Sequence, residues 1–177
     1  KDPAVDAGVL FFLIRTMMLE SERLILRPWR PSDAEALYRC ARSERVGPRA
    51  GWPVHTSVEM SAEVIRTVFS EPETWAVVRK GSAEPIGCVG LVPAAAHHYT
   101  GIAPGEREIG YWMGEEHWGR GYAPEAVGRL VVRCREELSV GRLWITLREE
   151  NRNSRRVAEK CGFSLFDTVP NSDGGRM

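Results

Sequence analysis

Apolar residues recur along the chain at two spacings, and the change from one to the other marks its elements. Residues 22–29 alternate around Leu24 and Leu26 and run into Pro28, which predicts a strand. Pro31-Ser32-Asp33 then opens a helix carrying Ala34, Leu37, Tyr38 and Ala41 on one side. A Gly/Pro-rich loop over 47–53 leads to a second helix over 57–69, with Val64, Ile65 and Val68 at helical spacing. Strands over 73–80 and 85–92 follow, joined through Lys80-Gly81-Ser82 as an antiparallel hairpin. Residues 93–105, with two prolines and the adjacent His97 and His98, predict a loop, and 106–114 a fourth strand. The pattern then predicts a helix over 124–138, a strand over 142–148, a helix over 153–161 and a strand over 162–168.

No repeat, low-complexity tract or linker divides residues 19–177, so the expected fold is an α/β mixture around one partly antiparallel sheet. The chain has 177 residues, a length that suits one core. Lys plus Arg and Asp plus Glu number 24 each, so the basic excess of a nucleic-acid binder is missing and no nucleic-acid partner is expected. Cys40, Cys88, Cys134 and Cys161 share no short spacing, which speaks for free thiols, a cytoplasmic setting and no metal. His55 and His117 likewise offer no metal spacing.

The N-terminal stretch differs from the rest. Its apolar run over 9–14 falls far short of the ~20 residues of a membrane span, and Asp2 and Asp6 precede it where a signal peptide carries basic residues. Met17 or Met18 reads as a natural start. Residues 1–16 are therefore expected to be a non-native or disordered extension to a single domain over 17–177, the alternative being a hydrophobic arm that docks on the domain or a partner.

The chemistry concentrates between Glu108 and Ala126. Ala126, Val127, Leu130, Val131, Cys134 and Leu138 form a buried stripe, and Pro124 fits the first position of their helix. The turn before it, residues 119–123, then ends at a helix N-terminus with unpaired N–H groups, and Gly119 and Gly121 admit a ligand close to the backbone. Such a terminus favours an anion such as a pyrophosphate, while a plain structural turn would use the same glycines. No Gly-Lys-Ser/Thr follows, and Pro124 stands where a dinucleotide fingerprint needs its third glycine.

Three segments, Glu108-Ile-Gly-Tyr-Trp, Trp118-Gly-Arg-Gly-Tyr-Ala and Asn151-Arg-Asn-Ser154 followed by Val157-Ala-Glu-Lys-Cys-Gly-Phe163, together resemble the GNAT acetyltransferase superfamily. The opening Glu22-Arg-Leu-Ile-Leu-Arg-Pro-Trp is similar to its branch of bacterial ribosomal-protein N-terminal (Rim-type) acetyltransferases. The likeness runs over residues 19–168 in order and spacing. It implies a GNAT fold: a mixed, mostly antiparallel sheet with flanking helices and a splayed central strand pair. It also implies acetyl-coenzyme A as co-substrate and a primary amine, either a protein N-terminus or a small molecule, as acceptor.

The superfamily's turn reads Gln/Arg-x-x-Gly-x-Gly/Ala, and its amides hold the coenzyme's pyrophosphate. The resemblance puts Trp118 at the first position, Gly121 at the fourth and Ala123 at the sixth, with Gly119, Arg120 and Tyr122 between. Trp118 departs from the usual polar residue, and Arg120 is placed to reach a phosphate. Trp112, Met113 and Gly114 are the expected backbone contacts of the pantetheine arm, and Asn151 and Ser154 further cofactor-binding residues. Glu108 is the expected general base, directly or through a water, with pairing to Arg107 or Arg142 as its alternative.

Ser154 matches a serine near the sulfur and stands as a catalytic candidate; helix capping is its plain role. The tyrosine that often acts as acid falls at Ala158, which keeps a non-catalytic acyl-coenzyme A sensor open as a second reading. His97 and His98 could line the acceptor pocket. Asp173-Gly174-Gly175 reads as a turn into a last strand that the chain lacks or a partner supplies, and a homodimer is the corresponding expectation.

Overall fold

Leu24, Leu26, Trp75, Val77 and Val89 alternate on neighbouring strands into one apolar layer, and Ala76 and Cys88 at intervening positions belong to a second layer on the other face. The computed structural model describes residues 18–169; the N-terminal run over 9–14 and the Asp173-Gly174-Gly175 turn lie outside the described residues. Six strands pair in chain order: β1 Leu19–Glu20, β2 Leu24–Pro28, β3 Thr74–Arg79, β4 Pro85–Val92, β5 Arg107–Met113 and β6 Leu143–Trp144. Every pairing is antiparallel except the last, β5 with β6, which is parallel.

Four helices cover the two faces: α1 Ala34–Ala41, α2 Val58–Thr67, α3 Tyr122–Glu136 and α4 Arg152–Lys160. On one face the stripe Ala126, Val127, Leu130, Val131 and Cys134 of α3 meets Ile109 and Met113 of β5. On the other, Ala34, Leu37 and Ala41 of α1 and Ile65 of α2 pack on Trp29, Ala76 and Cys88, with Trp112 against them. Side chains of β5 thus divide by parity, as their alternation predicts. Close approach at the centre requires glycine, since a Cβ on Gly87 would collide with the Met113 sulfur and the Trp112 carbonyl.

A buried ion pair joins the sheet to the first helix. Arg27 donates from Nη1 to Asp33 Oδ2 at 2.7 Å and from Nη2 to Oδ1 at 2.8 Å, with side chains 7% and 6% exposed. Asp33 Oδ2 also accepts the Arg30 N–H at 2.9 Å, and Arg27 reaches the Ala83 carbonyl at 2.9 Å. The bidentate geometry and these further partners satisfy both charges where water is excluded.

Four boundaries differ from expectation. The first strand is a hairpin, because Leu19 pairs with Leu26 and Glu20 with Ile25. The helix expected from 124 begins at Tyr122, which makes Pro124 its third residue; its missing N–H still falls in the first turn, where no intrahelical acceptor exists. The strand expected over 142–148 is two residues long, and no strand forms over 162–168. A strand needs a continuous ladder partner. Tyr111 of β5 donates its hydroxyl to the Ser154 carbonyl at 3.1 Å, so α4 lies across the gap that the early end of β6 leaves beside β5. Leu165 and Phe166 beyond α4 are exposed. No described helix is long and apolar enough to cross a membrane.

Asp33→Ala leaves the Arg27 guanidinium buried without its partner and should destabilise the domain by about 3–5 kcal/mol, read as a lower urea midpoint at unchanged slope. Replacing both residues by apolar ones of similar volume should recover much of that loss.

Candidate active site

The N-terminus of α3 is built by its two glycines. Gly121 caps the helix with φ 79° and Gly119 precedes it with φ 73°, both in the left-handed region that a side chain would strain. The helix closes its first ring when Glu125 N–H bonds the Gly121 carbonyl at 3.3 Å. The amides of Tyr122 and Ala123 therefore lack an acceptor within the helix.

Side chains from the β1–β2 hairpin hold this turn. Glu125 accepts from Ser21 Oγ at 2.7 Å, from the Arg23 main-chain N–H at 2.7 Å and from Arg23 Nε at 2.7 Å. Burial raises the Glu125 carboxyl, but those donors and the Arg23 charge outweigh it and hold it below the usual carboxylate value. Arg23 also donates to the Arg120 carbonyl at 3.0 Å and lies over the Tyr122 ring. Arg120 itself is exposed and stands outside the cleft lining.

A cleft of about 420 Å³ opens beside the turn. Trp118, Gly119, Gly121, Tyr122 and Ala123 line one wall, Tyr111, Trp112 and Met113 of β5 its floor, and Asn151 and Ser154 of α4 the opposite wall. Trp118 is fixed there by its Nε1–H, which donates to the Met113 carbonyl at 2.8 Å. Arg45 and Arg49 stack on the Trp118 ring from above, and Arg156 and Lys160 come from α4. A second cavity of about 470 Å³, between β6 and residues 163–169, holds none of the expected site residues.

The floor depends on which edge each residue of β5 presents. Gly114 N–H bonds the Ile86 carbonyl at 2.9 Å, whereas Arg107 N–H bonds the Arg142 carbonyl at 3.2 Å on the other side. Alternation along an antiparallel ladder then turns the polar main-chain groups of Trp112 and Gly114 to β4, and those of Tyr111 and Met113 to the side that β6 leaves open. Of the three residues expected to contact a pantetheine arm, Met113 thus presents its N–H to the open side, while the main-chain polar groups of Trp112 and Gly114 belong to the sheet. Tyr111 shares the open side with Met113, and sequence could not single it out, because the pairing that ends early is a tertiary fact.

On α4, Asn151 accepts the Ser154 N–H at 3.2 Å, so Asn151 is the helix cap and the Ser154 hydroxyl is not needed for that role. Ala158, buried, offers no proton donor at the position where the superfamily often has a tyrosine. Tyr111 lies in the cleft, but burial above all pushes its hydroxyl up to about 12, partly countered by its bond to Ser154.

Glu108 is 1% exposed and pairs with neither Arg107 nor Arg142. Its Oε1 meets His98 Nδ1 at 2.8 Å and its Oε2 accepts the His98 main-chain N–H at 3.0 Å. Burial raises this carboxyl, yet the His98 ring, the His98 N–H and the Thr146 hydroxyl together hold it below the usual value. The same ring hydrogen bond raises His98.

Residues 23–164 match a family model described as Acetyltransferase (GNAT) domain. A Bacillus subtilis (strain 168) protein named YoaA, an uncharacterized N-acetyltransferase, is 30% identical over 151 residues, which cover 82% of each chain. The solved GNAT-family acetyltransferase of Bacillus anthracis superposes with a TM-score of 0.73 at 22% identity, over 90% of this chain and 93% of that one. A Vibrio cholerae protein proposed to be a ribosomal-protein-serine acetyltransferase superposes at 0.70 with 26% identity, over 88% and 87%.

The Glu108–His98 pair has a signature in stability against pH. Glu108 is lowered, so its contribution is present above its unfolded value near 4.5 and lost as pH falls through the lower folded value. His98 is raised, so its contribution is present below 6.5 and lost as pH rises through the higher folded value. The urea midpoint lost by His98→Gln should accordingly be largest between about pH 4.5 and 6.5 and shrink toward pH 9.

Proposed function

The chain belongs to the GNAT acetyltransferase family and is an acyl-coenzyme A-dependent N-acetyltransferase, and from that premise we propose that its acceptor is a protein N-terminus, acetylated by direct attack of the amine on the thioester. The observation that carries the reading is the union, in one cleft, of outward amides at the start of α3 with the open edge of β5. A diphosphate fits the first feature. Two left-handed glycines bring the backbone close, a Cβ on Gly119 would touch nothing within 4 Å, and the helix end favours negative charge.

In this reading the amides of Gly119, Gly121, Tyr122 and Ala123 hold the diphosphate, and Trp118 closes the wall beside them. The main-chain groups of Tyr111 and Met113 hold the pantetheine arm, with Asn151 and Ser154 facing it. Bound acetyl-coenzyme A supplies the acetyl group as an activated thioester. Ser154, with Asn151 doing the capping, presents its hydroxyl toward the sulfur. Tyr111 suits positioning better than proton donation, because burial pushes its hydroxyl up to about 12 and so weakens it as a proton donor to a leaving thiolate.

Assistance by a base belongs to the Glu108–His98 pair, on the face of β5 that carries Trp112. There Trp52 and Phe69 surround Trp112 at 5.7 and 6.4 Å between ring centroids. These half-buried rings offer an apolar surface that suits the first side chains of a peptide. The name of the Vibrio cholerae relative points the same way.

Thiol release from acetyl-coenzyme A, measured against panels of short peptides and of small amines, tests the acceptor. Peptides with free N-termini should turn over faster. Turnover confined to polyamines or other small amines would reassign it, and no release together with no calorimetric heat on adding coenzyme A would sink the whole reading. Gly121→Ala, which forces a side chain into the left-handed region at about 1–2 kcal/mol, should raise the KM for acetyl-coenzyme A about tenfold with little change in kcat.

A further inference from the structure

Glu108 and His98 stand ten residues apart, yet two hydrogen bonds join them, one from the ring and one from the backbone. Their exposures differ sharply: Glu108 is 1% exposed, the His98 side chain 51%. An ionised carboxylate only accepts, so the proton in the 2.8 Å contact belongs to His98 Nδ1. That assigns the tautomer of the neutral ring and leaves its lone pair on Nε2.

Nε2 faces the other loop that borders the cleft. A Cβ on Gly51 would stand 3.9 Å from it, and Ala50, the preceding residue, lines the cleft wall. Both oxygens of Glu108, by contrast, are occupied by His98, and Thr146 adds a third donor. An amine arriving on this side meets the imidazole and not the carboxylate. Building on the acetyl-transfer reading, we propose that His98 Nε2 takes the proton from the acceptor's ammonium group, with Glu108 as the positioning residue that holds the ring.

The protons balance as follows. The ammonium N–H bond breaks, its proton goes to Nε2, and the nitrogen keeps the electron pair. That pair forms the C–N bond at the acetyl carbon as the C–S bond breaks and its electrons leave on sulfur. The amide nitrogen then loses a second proton, which neutralises the thiolate, and His98 returns its own to water. The products are the acetamide, the free thiol and one proton.

Few groups complicate the titration of this ring. Glu108 faces it from β5, His97 neighbours it on its own loop, and the uncharged Gly51 faces it from the loop over 47–53. His98 works when neutral, so kcat/KM should rise with pH through its raised value.

The test is a set of pH profiles of kcat/KM for wild type, His98→Gln and Glu108→Gln, using acetyl-coenzyme A and the fastest peptide acceptor. Calorimetric binding of coenzyme A to each variant checks folding. His98→Gln should lose about 10²- to 10⁴-fold and the acid limb with it. Glu108→Gln should lose less and shift the limb to lower pH, because the carboxylate no longer raises the ring; a limb set by the acceptor amine would not move. NMR titration of the His98 ring should show the same downward shift. Undiminished turnover by His98→Gln, or abolition by Glu108→Gln alone, overturns the assignment while acetyl transfer stands. Failure of the wild-type chain to turn over any amine overturns both.

Discussion

The structure depends on the place where β5 and β6 stop pairing. Their parallel register covers Arg107 with Leu143 and Glu108 with Trp144, and β5 then runs on to Met113 with one edge unpaired. An unpaired strand edge inside a domain leaves donors and acceptors that something else must satisfy. Here α4 stands off from the edge, bridged by Tyr111, and the gap becomes the cleft floor. Had β6 continued, the amides of Tyr111 and Met113 would have been consumed by the ladder.

The second requirement is a rigid turn opposite that edge. Gly119 and Gly121 permit its shape, but glycine also makes the unfolded turn freer and so harder to order. The opposing constraint comes from the far end of the sequence. Ser21 and Arg23 of the β1–β2 hairpin bind Glu125 and the Arg120 carbonyl, tying the turn to the sheet. Arg27 and Asp33 do a similar job on the other face, where they anchor the start of α1. Backbone amides preorganised in this way meet an anion without further reorganisation, which is why a helix end can serve in place of a lysine or a metal.

Electrostatics separate the two faces of β5. On the α3 face, burial dominates Tyr111 and keeps it protonated. On the other face, burial raises the Glu108 carboxyl, and donors from His98 and Thr146 together with the His98 charge outweigh it and hold it below the usual value. One carboxylate and one imidazole thus stabilise each other's charge at the edge of an aromatic surface, and of the two only the imidazole is open to solvent.

Apolar periodicity alone marked the strands over 73–80 and 85–92 and the stripe on α3 from Ala126 to Cys134, because local spacing decides which side of an element is buried; Leu138, expected in the same stripe, lies past the helix end and is exposed. The glycine turn at 119–123 was legible for the same local reason, through its special backbone and its position before a helix. Other features were settled only by tertiary structure. Which edge of β5 lies open, and hence that Tyr111 and not Trp112 or Gly114 offers its amide, depends on a partner strand more than thirty residues away. In the sequence His98 was one of two loop histidines able to line an acceptor pocket, and only folding carried it over Glu108; Asn151 likewise displaced Ser154 as the cap of α4. Local spacing determines which residues can be buried; only the folded sheet decides which hydrogen-bonding groups are left without a neighbour.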